Sequence, residues 1–411
     1  MSTPEAFYRR PIDLNRFSNS VSREIVLAYN DIILEITAQL AAIDEVSAPY
    51  SAARLRALLA QLRDSLGTWT VNSTTVTARE LQGLAVLQTD FVEDQLRRVL
   101  PSNLQGIVRS VEISPDFARS VVSTDPTEIN ILTLPGELEA SVAEGVGRGS
   151  FRLSAQKGAV ITLPNGETVQ KAFRGLAEKQ VDLFSKTVRS GLLTGESTQQ
   201  IARKLKGRLE FETAARGSVK QIANRGGLLT KMSNSQVMTL VRTSVNQVAN
   251  VASQNVYEAN QDVTKEYEYV ATLDSRTSAI CARLDGQVFS YGKGPTPPQH
   301  FNCRSTTVPV IDWSEYDLGE PPKATRPSKW GVDQKGRQVP ANMTYADWLI
   351  KQPKSVQAEV FGKWKSQYFV QLSKKEGPQS ALRRIVRTDG SELTLDQLKK
   401  RYPSLPASQD A

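Results

Sequence analysis

The sequence predicts a mainly α, multi-domain protein with a small α+β core, a helical N-terminal region and an extended basic C-terminal arm. Three observations predict it. Apolar residues recur at three- and four-residue steps through much of the first hundred positions and again from about 169 to 260. A short β-prone, turn-rich segment follows, and it holds both cysteines of the chain and its one histidine. Beyond position 312, prolines interrupt a lysine- and arginine-rich stretch. The expected divisions are 1–105 (helical), 106–168 (a small β-containing insert), 169–312 (the core with the Cys/His segment) and 313–411 (a Pro-rich linker with a basic extension).

In the N-terminal region Ile25, Tyr29, Ile32, Ile36, Leu40 and Ile43 trace one apolar face. Leu55, Leu58, Leu62 and Leu66 trace a second. A third, formed by Leu84, Leu87, Phe91, Val92, Leu96 and Val99, is stopped by Pro101. Such stripes serve either an internal bundle or the docking of a partner, and either use remains open here. In the next segment, Gly158–Leu163 and Thr168–Val169 flank Pro164-Asn-Gly-Glu167, which reads as a hairpin because Asn-Gly tolerates positive φ. A helix is expected from Val169 to Ser190, ending near Gly191. Another follows Gly195-Glu-Ser, with Ser197 as N-cap and Ile201, Ala202 and Leu205 buried. That wording also fits the first helix of a helix-turn-helix. A long helix from Ser233 to Asn260 contains Arg242-Thr-Ser-Val-Asn246. The β-prone Tyr267–Leu273 then leads into the cysteine segment. The last helices are expected near Thr344 and Leu395.

Bulk properties exclude several classes. No run approaches the ~18–20 apolar residues that span a bilayer, so no membrane contact is expected. Met1–Arg10 lacks the apolar core of a secretory signal. Two cysteines in 411 residues do not make a secreted, disulfide-stapled fold. The net charge of +8 is uneven: residues 161–250 carry about +8 and 321–411 about +9. Two basic zones suit sequence-independent contact with a polyanion such as DNA. No G-x-x-x-x-G-K-[ST] phosphate loop is present.

The most specific stretch reads Asp274-Ser-Arg276-Thr-Ser278-Ala-Ile-Cys281, then Asp285-Gly286, then Pro297-Pro-Gln-His300-Phe-Asn-Cys303-Arg304-Ser305. It closely resembles the phage head morphogenesis family of minor head proteins, the Mu F-like group. That family's hallmark is Asp-x-Arg-Thr-x-x-Cys with a following Asp-Gly, then Pro-Pro-x-His-x-x-Cys-Arg. Arg242-Thr243 resembles its upstream helix, and Gly195-Glu-Ser its glycine-turn helix start. Tyr345-Ala-Asp-Trp348 and Leu393-Thr-Leu-Asp-Gln-Leu398 resemble its C-terminal extension. The resemblance covers about residues 169–398. It implies a minor protein of a tailed-phage head, active in assembly, partnered by the portal protein and the capsid interior. The implied location is the virion head interior, after assembly in the host cytoplasm.

His-x-x-Cys puts imidazole and thiolate on one side of a tight turn, a zinc half-site, and Cys281 could add a third ligand. Relatives carry further cysteines where this chain has Ser278 and Ser305, so a structural zinc would need Asp274 or Asp285 to complete its shell. A Cys281–Cys303 disulfide and a metal-free, hydrogen-bonded knot are the other readings. Arg242, Arg276, Asp285, Gly286 and Arg304 are read as structural members of the motif, with an Asp274–Arg276 ion pair or backbone bonds fixing the loop. No catalytic residue is assigned. The enzymatic rival is a metal-dependent nuclease drawing Asp274, Asp285 and His300 together; a free DNA-binding regulator is the other rival.

Overall fold

In a computed structural model of the chain, the described residues are 3–43, 48–115, 151–153, 162–213, 219–311 and 323–405, with single positions at 117, 122, 123, 313 and 318. They form a mainly α protein with a small α+β part. None of the described helices is long and apolar enough to cross a membrane.

Two long helices begin the chain, α1 (Thr3–Ala41) and α2 (Ala48–Val99). At 1.5 Å per residue they run about 58 and 78 Å. The first starts well before the Ile25 stripe and continues through Pro11. The second joins the two stripes that the sequence shows separately. Their apolar faces turn inward onto the chain itself. Tyr29, Ile36, Leu40, Leu58, Leu62 and Leu66 share one core with Phe173, Phe184, Ile201, Leu205, Val241 and Val248. Of the residues that define the stripes, Leu87 is the one strongly exposed, at 60%. Tyr29, Trp69 and Phe173 meet edge-to-face at 5.4 and 5.6 Å, and the Trp69 indole donates to the Ile25 carbonyl at 3.0 Å. Each such aromatic pair adds about 0.5–1.5 kcal/mol beyond its buried area. The N-terminal helices are therefore part of the central bundle.

The described part of 106–168 contributes β1 (Val111–Ile113) and β2 (Phe151–Leu153), a parallel pair. The Asn165-Gly166 turn forms, with Gly166 at φ +78° donating its N–H to the Leu163 carbonyl at 2.8 Å. Thr168, expected in a second hairpin strand, instead caps α3 (Val169–Leu193) by accepting from the Lys171 N–H. The strand expected before the turn lies largely outside the described residues. The helix runs through Gly191 to Leu193, and Gly195, at φ +76°, lies in the turn that follows.

Ser197 caps α4 (Thr198–Lys206) in a reciprocal box with Gln200, and Ile201, Ala202 and Leu205 are buried. No second helix follows. The chain enters β3 (Gly207–Thr213), which pairs antiparallel with β4 (Val219–Gly226). This removes the helix-turn-helix reading: the face such a motif would need is spent on the bundle core, and a β-ribbon stands where the recognition helix belongs. Helix α5 (Leu228–Ala259) then packs against α1, α2 and α3.

The α+β part is a three-stranded antiparallel sheet in the order β6-β5-β7, with β5 (Thr264–Val270) central, β6 (Val288–Ser290) and β7 (Thr306–Ile311). A short helix, α6 (Ala279–Leu284), lies between β5 and β6.

The C-terminal stretch departs from the extended arm that its prolines suggest. Strands β8 (Thr325–Trp330) and β9 (Lys335–Pro340) pair antiparallel. Five short helices follow, α7 (Tyr345–Ile350), α8 (Lys354–Phe361), α9 (Lys363–Glu376), α10 (Pro378–Ile385) and α11 (Leu395–Arg401). They enclose Tyr345, Trp348, Phe369, Leu382 and Ile385. Pro327 is accommodated within the two-stranded ribbon, and Pro378 starts a helix, where its missing N–H costs nothing. Capping boxes at Thr344 and Thr394 begin α7 and α11.

Candidate metal centre

Cys281 lies on α6, and His300 and Cys303 lie on the loop that descends into β7. The loop is fixed from one side by α5. Asn302 sits at φ +62°, a left-handed conformation that asparagine tolerates better than most residues. Its N–H donates to the Thr243 hydroxyl at 3.0 Å, its amide N–H to Thr239 at 2.8 Å, and its amide oxygen accepts from Arg242 at 3.2 Å. One turn on, the Asn246 amide donates to the Ser305 carbonyl at 2.8 Å. Gln254 donates to the Thr307 hydroxyl at 3.0 Å, and the Tyr257 hydroxyl to the Thr307 carbonyl at 3.3 Å. One polar flank of α5 thus serves as the seat for the cysteine loop and for β7. Arg242, within this flank, also donates to Asn19 of α1 at 3.0 Å.

Seated this way, the donor atoms of Cys281, His300 and Cys303 lie within 4.8 Å of one another. The two sulfurs are 3.7 Å apart and not bonded, and Cys281 Sγ is 3.3 Å from His300 Nε2. Tetrahedral zinc with bonds of about 2.3 Å to sulfur and 2.0–2.1 Å to nitrogen needs S···S near 3.8 Å and S···N near 3.6 Å. The observed edges fall within a few tenths of an ångström of both. His300 Nδ1 is 2.7 Å from the Phe301 carbonyl. A carbonyl only accepts, so Nδ1 carries the proton and a neutral ring turns its Nε2 lone pair toward the sulfurs. That tautomer is the one a metal-binding imidazole requires.

The electrostatics are asymmetric. The hydrogen bond from Cys281, with help from His300, holds the Cys303 thiol well below the usual range against the opposing effect of burial. That same hydrogen bond, together with burial, pushes the Cys281 thiol up. His300 is raised, chiefly by its bond to Cys303. Tyr269, at the base of the site, places its hydroxyl 3.2 Å from Cys281 Sγ.

The two carboxylates expected to complete a zinc shell are committed elsewhere. Asp274 is 1% exposed and gripped by both guanidinium nitrogens of Arg304, one at 2.8 Å, with Arg276 at 3.7 Å. It also accepts from the Arg276 N–H at 3.1 Å, closing a turn over its own backbone. Burial alone would raise its pKa; the Arg304 bonds outweigh this and hold it below the usual carboxylate range. Asp285 is buried and paired with buried Arg326 at 3.0 and 3.1 Å, and it accepts the Ala271 and Tyr345 N–H groups at 2.6 Å each. Gly286 follows it at φ +75°, and a side chain there would press on Thr344. Both aspartates clamp the chain. Among the described residues, the one cluster of three or more His, Cys, Asp or Glu donor atoms is Cys281, His300 and Cys303. Asp274, Asp285 and His300 are not drawn together. Arg326 and Asn302 escape sequence reasoning, since nothing in local spacing marks them, while Arg242 of the α5 seat and Tyr345 are singled out there only by the resemblance.

Residues 182–308 match the family model described as Phage Mu protein F like protein. An uncharacterized protein of Haemophilus influenzae is 27% identical over 135 residues, a stretch that covers 30% of this chain and 30% of that relative. The chain thus spans under a third of the relative it matches. No solved structure matches. The matched span runs from the middle of α3 to the middle of β7 and encloses the α5 seat, the clamped aspartates and the whole Cys/His cluster: over residues 182–308 the chain is similar to the Phage Mu protein F like family.

Proposed function

We propose that this protein is a minor head protein of a tailed bacteriophage, a structural and assembly component of the virion head. The observation that carries the reading is the match over 182–308, reinforced by a site built for holding backbone rather than for turnover. Cys303 is 0% exposed, so a substrate has no path to the one activated thiol. Both aspartates that a metal nuclease would recruit are neutralised by arginines. In this reading Cys281, His300 and Cys303 hold a structural zinc, which when bound ties α6 to the loop before β7. The metal supplies cross-linking and no chemistry.

The partners that follow are the portal protein and the capsid interior, with DNA as a non-specific contact. The C-terminal helices support the last of these. Lys374, Lys375, Arg383, Lys399 and Arg401 are all exposed on them, and such a surface gains affinity by releasing counterions from phosphates. The test is recovery of the intact chain from purified virions and its co-purification with the portal protein. A chain found only in the soluble fraction of infected cells, absent from particles, would reject the head assignment in favour of a regulator. Divalent-metal-dependent cleavage of DNA by the pure protein would favour the nuclease.

A further inference from the structure

We infer that Arg242 and Arg276, set beside the Asp274–Arg304 pair, form a phosphate-binding site whose ligand is a backbone phosphate of duplex DNA. The inference rests on the DNA contact proposed above and adds a point of contact outside the C-terminal helices. Arg242 carries it. Its side chain is partly buried on α5, yet among the described residues it pairs with no carboxylate. Its two bonds go to neutral amides, Nη1 to the Asn302 oxygen at 3.2 Å and Nη2 to the Asn19 oxygen at 3.0 Å. Its Nε is buried without a partner. A guanidinium has five N–H donors, so each Nη keeps a second one. Arginine is seldom drawn out of water without an opposite charge. Here one amide from α1 and one from the loop before β7 fix the guanidinium without neutralising it, which preorganises it for an anion.

Like charges crowd the same place. Arg304 lies two residues beyond Asn302, and both Arg304 and Arg276 approach Asp274. Burial, then the fields of Arg304 and Arg276, hold the Arg242 guanidinium below its usual range, so the three stand near enough to repel one another. Asp274 supplies one negative charge to three cations. Counting Glu359, which accepts from the Ser275 hydroxyl at 3.1 Å, the arginines still outnumber the carboxylates. Arg304 has both Nη nitrogens on Asp274, whereas Arg276 stays 3.7 Å away with its side chain 70% exposed. Arg276 can therefore turn to an anion held by Arg242, and planar guanidinium forks match phosphate oxygens. The charge also continues along α1. Arg16 and Arg23 flank Asn19 at steps of three and four residues, exposed on one helix face. They are about 10 Å apart along the axis, the advance of about three nucleotides on one strand. A free phosphate would use the Arg242–Arg276 site alone, whereas a strand can follow all of it.

The test uses the full chain and two labelled DNA duplexes of unrelated sequence, with anisotropy read across a salt series. Arg276→Gln and Arg242→Gln should each weaken binding to both duplexes by about three- to tenfold at low salt and flatten the salt slope by about 1. Arg276→Lys keeps the charge and should stay within about twofold of the native chain. Arg276 is exposed, so Arg276→Gln should melt as the native chain does and carries the test even where Arg242→Gln does not fold. Native affinity and slope in Arg276→Gln overturn the assignment and leave the C-terminal contact standing. A native chain that binds neither duplex at low salt rejects the parent reading as well. Inorganic phosphate, titrated at constant ionic strength and followed by phosphorus NMR, separates the sources. A phosphate response lost in Arg276→Gln while DNA binding is unchanged would give the site to a free phosphate and overturn the DNA assignment.

Discussion

Replacing Arg326 with methionine should destabilise the protein by about 3 kcal/mol or more. The guanidinium is 2% exposed, and it makes two bonds to Asp285 at 3.0 and 3.1 Å, one to the Met343 carbonyl at 3.2 Å and a close one to the Ala271 carbonyl. Methionine fills much of the same volume without the charge. It strands a carboxylate that is 0% exposed, and removing one partner of a buried pair typically costs about 3–5 kcal/mol. The lower end applies because the Ala271 and Tyr345 N–H groups, at 2.6 Å each, continue to solvate Asp285. Asp285→Asn should cost a similar amount by stranding the guanidinium instead. In the double variant neither charge is stranded, so its cost should fall short of the sum by about 1–3 kcal/mol. Urea unfolding followed by circular dichroism and tryptophan fluorescence gives the three values. An Arg326→Met loss below about 1 kcal/mol, or strictly additive costs, would show that the pair is not the clamp between the small sheet and the C-terminal helices.

Further outcomes follow from the same contacts. The Glu268 carboxyl is raised by burial, with the Tyr8 hydroxyl at 3.0 Å working the other way. A raised acid contributes stability below its unfolded value, and that contribution is lost as pH rises through its folded value. Glu268→Gln should therefore be more stable than the native chain at neutral pH, with the gap closing below the ordinary glutamate value of 4.5; thermal melts across pH check this. Asn302→Gly should lose the bonds to Thr239 and Arg242, and Asn302→Ala should lose them and add about 1 kcal/mol of left-handed strain, as read from paired unfolding curves. Deleting residues 1–100 should give an aggregating remainder, because it strips Tyr29, Leu62 and Trp69 from the shared core; a soluble, monomeric remainder with native helicity would return the N-terminal faces to a docking role.

Much of the helical fold is legible because burial imposes a 3.6-residue period on Ile25–Ile43, on Leu55–Leu66 and on Val237–Val251. The cluster is legible for a different reason: with one histidine and two cysteines in the chain, there is little else for them to meet. What stays hidden is polar and non-local. Thr243, Asn246, Asn250 and Gln254 look like the solvated flank of an amphipathic helix, yet all are buried against β7 and the loop before it. Arg326 reads as one more surface charge in a basic tail, because its partner lies 41 residues upstream. The C-terminal helices are each 6–14 residues long, too short for period to separate them from a broken arm, and only their joint closure around Trp348 reveals a folded unit. Residues 207–226 pair as a ribbon across a turn that spacing alone does not mark.

The arrangement of clamps explains why the Cys/His segment carries so many motif residues. Three short strands and one helix of six residues enclose little apolar volume; the cluster at their centre is Tyr269, Ala271, Cys281 and Cys303. A unit of that size cannot offset its own conformational entropy by burial. It is held instead from three sides by groups outside it. The flank of α5 seats its loop through Asn302 and Ser305; Arg326 and Tyr345 of the C-terminal unit close on Asp285; and Tyr8 of α1 reaches Glu268 of β5 at 3.0 Å. Asp274 and Arg304 close the interior, joining the loop before α6 to the one before β7. Each clamp needs one particular donor or acceptor, whereas the apolar stripes need only size and period. That is the physical reason the Asp, Arg, Asn and Cys/His positions read as a motif, and it makes the segment a junction on which the bundle and the C-terminal unit both depend.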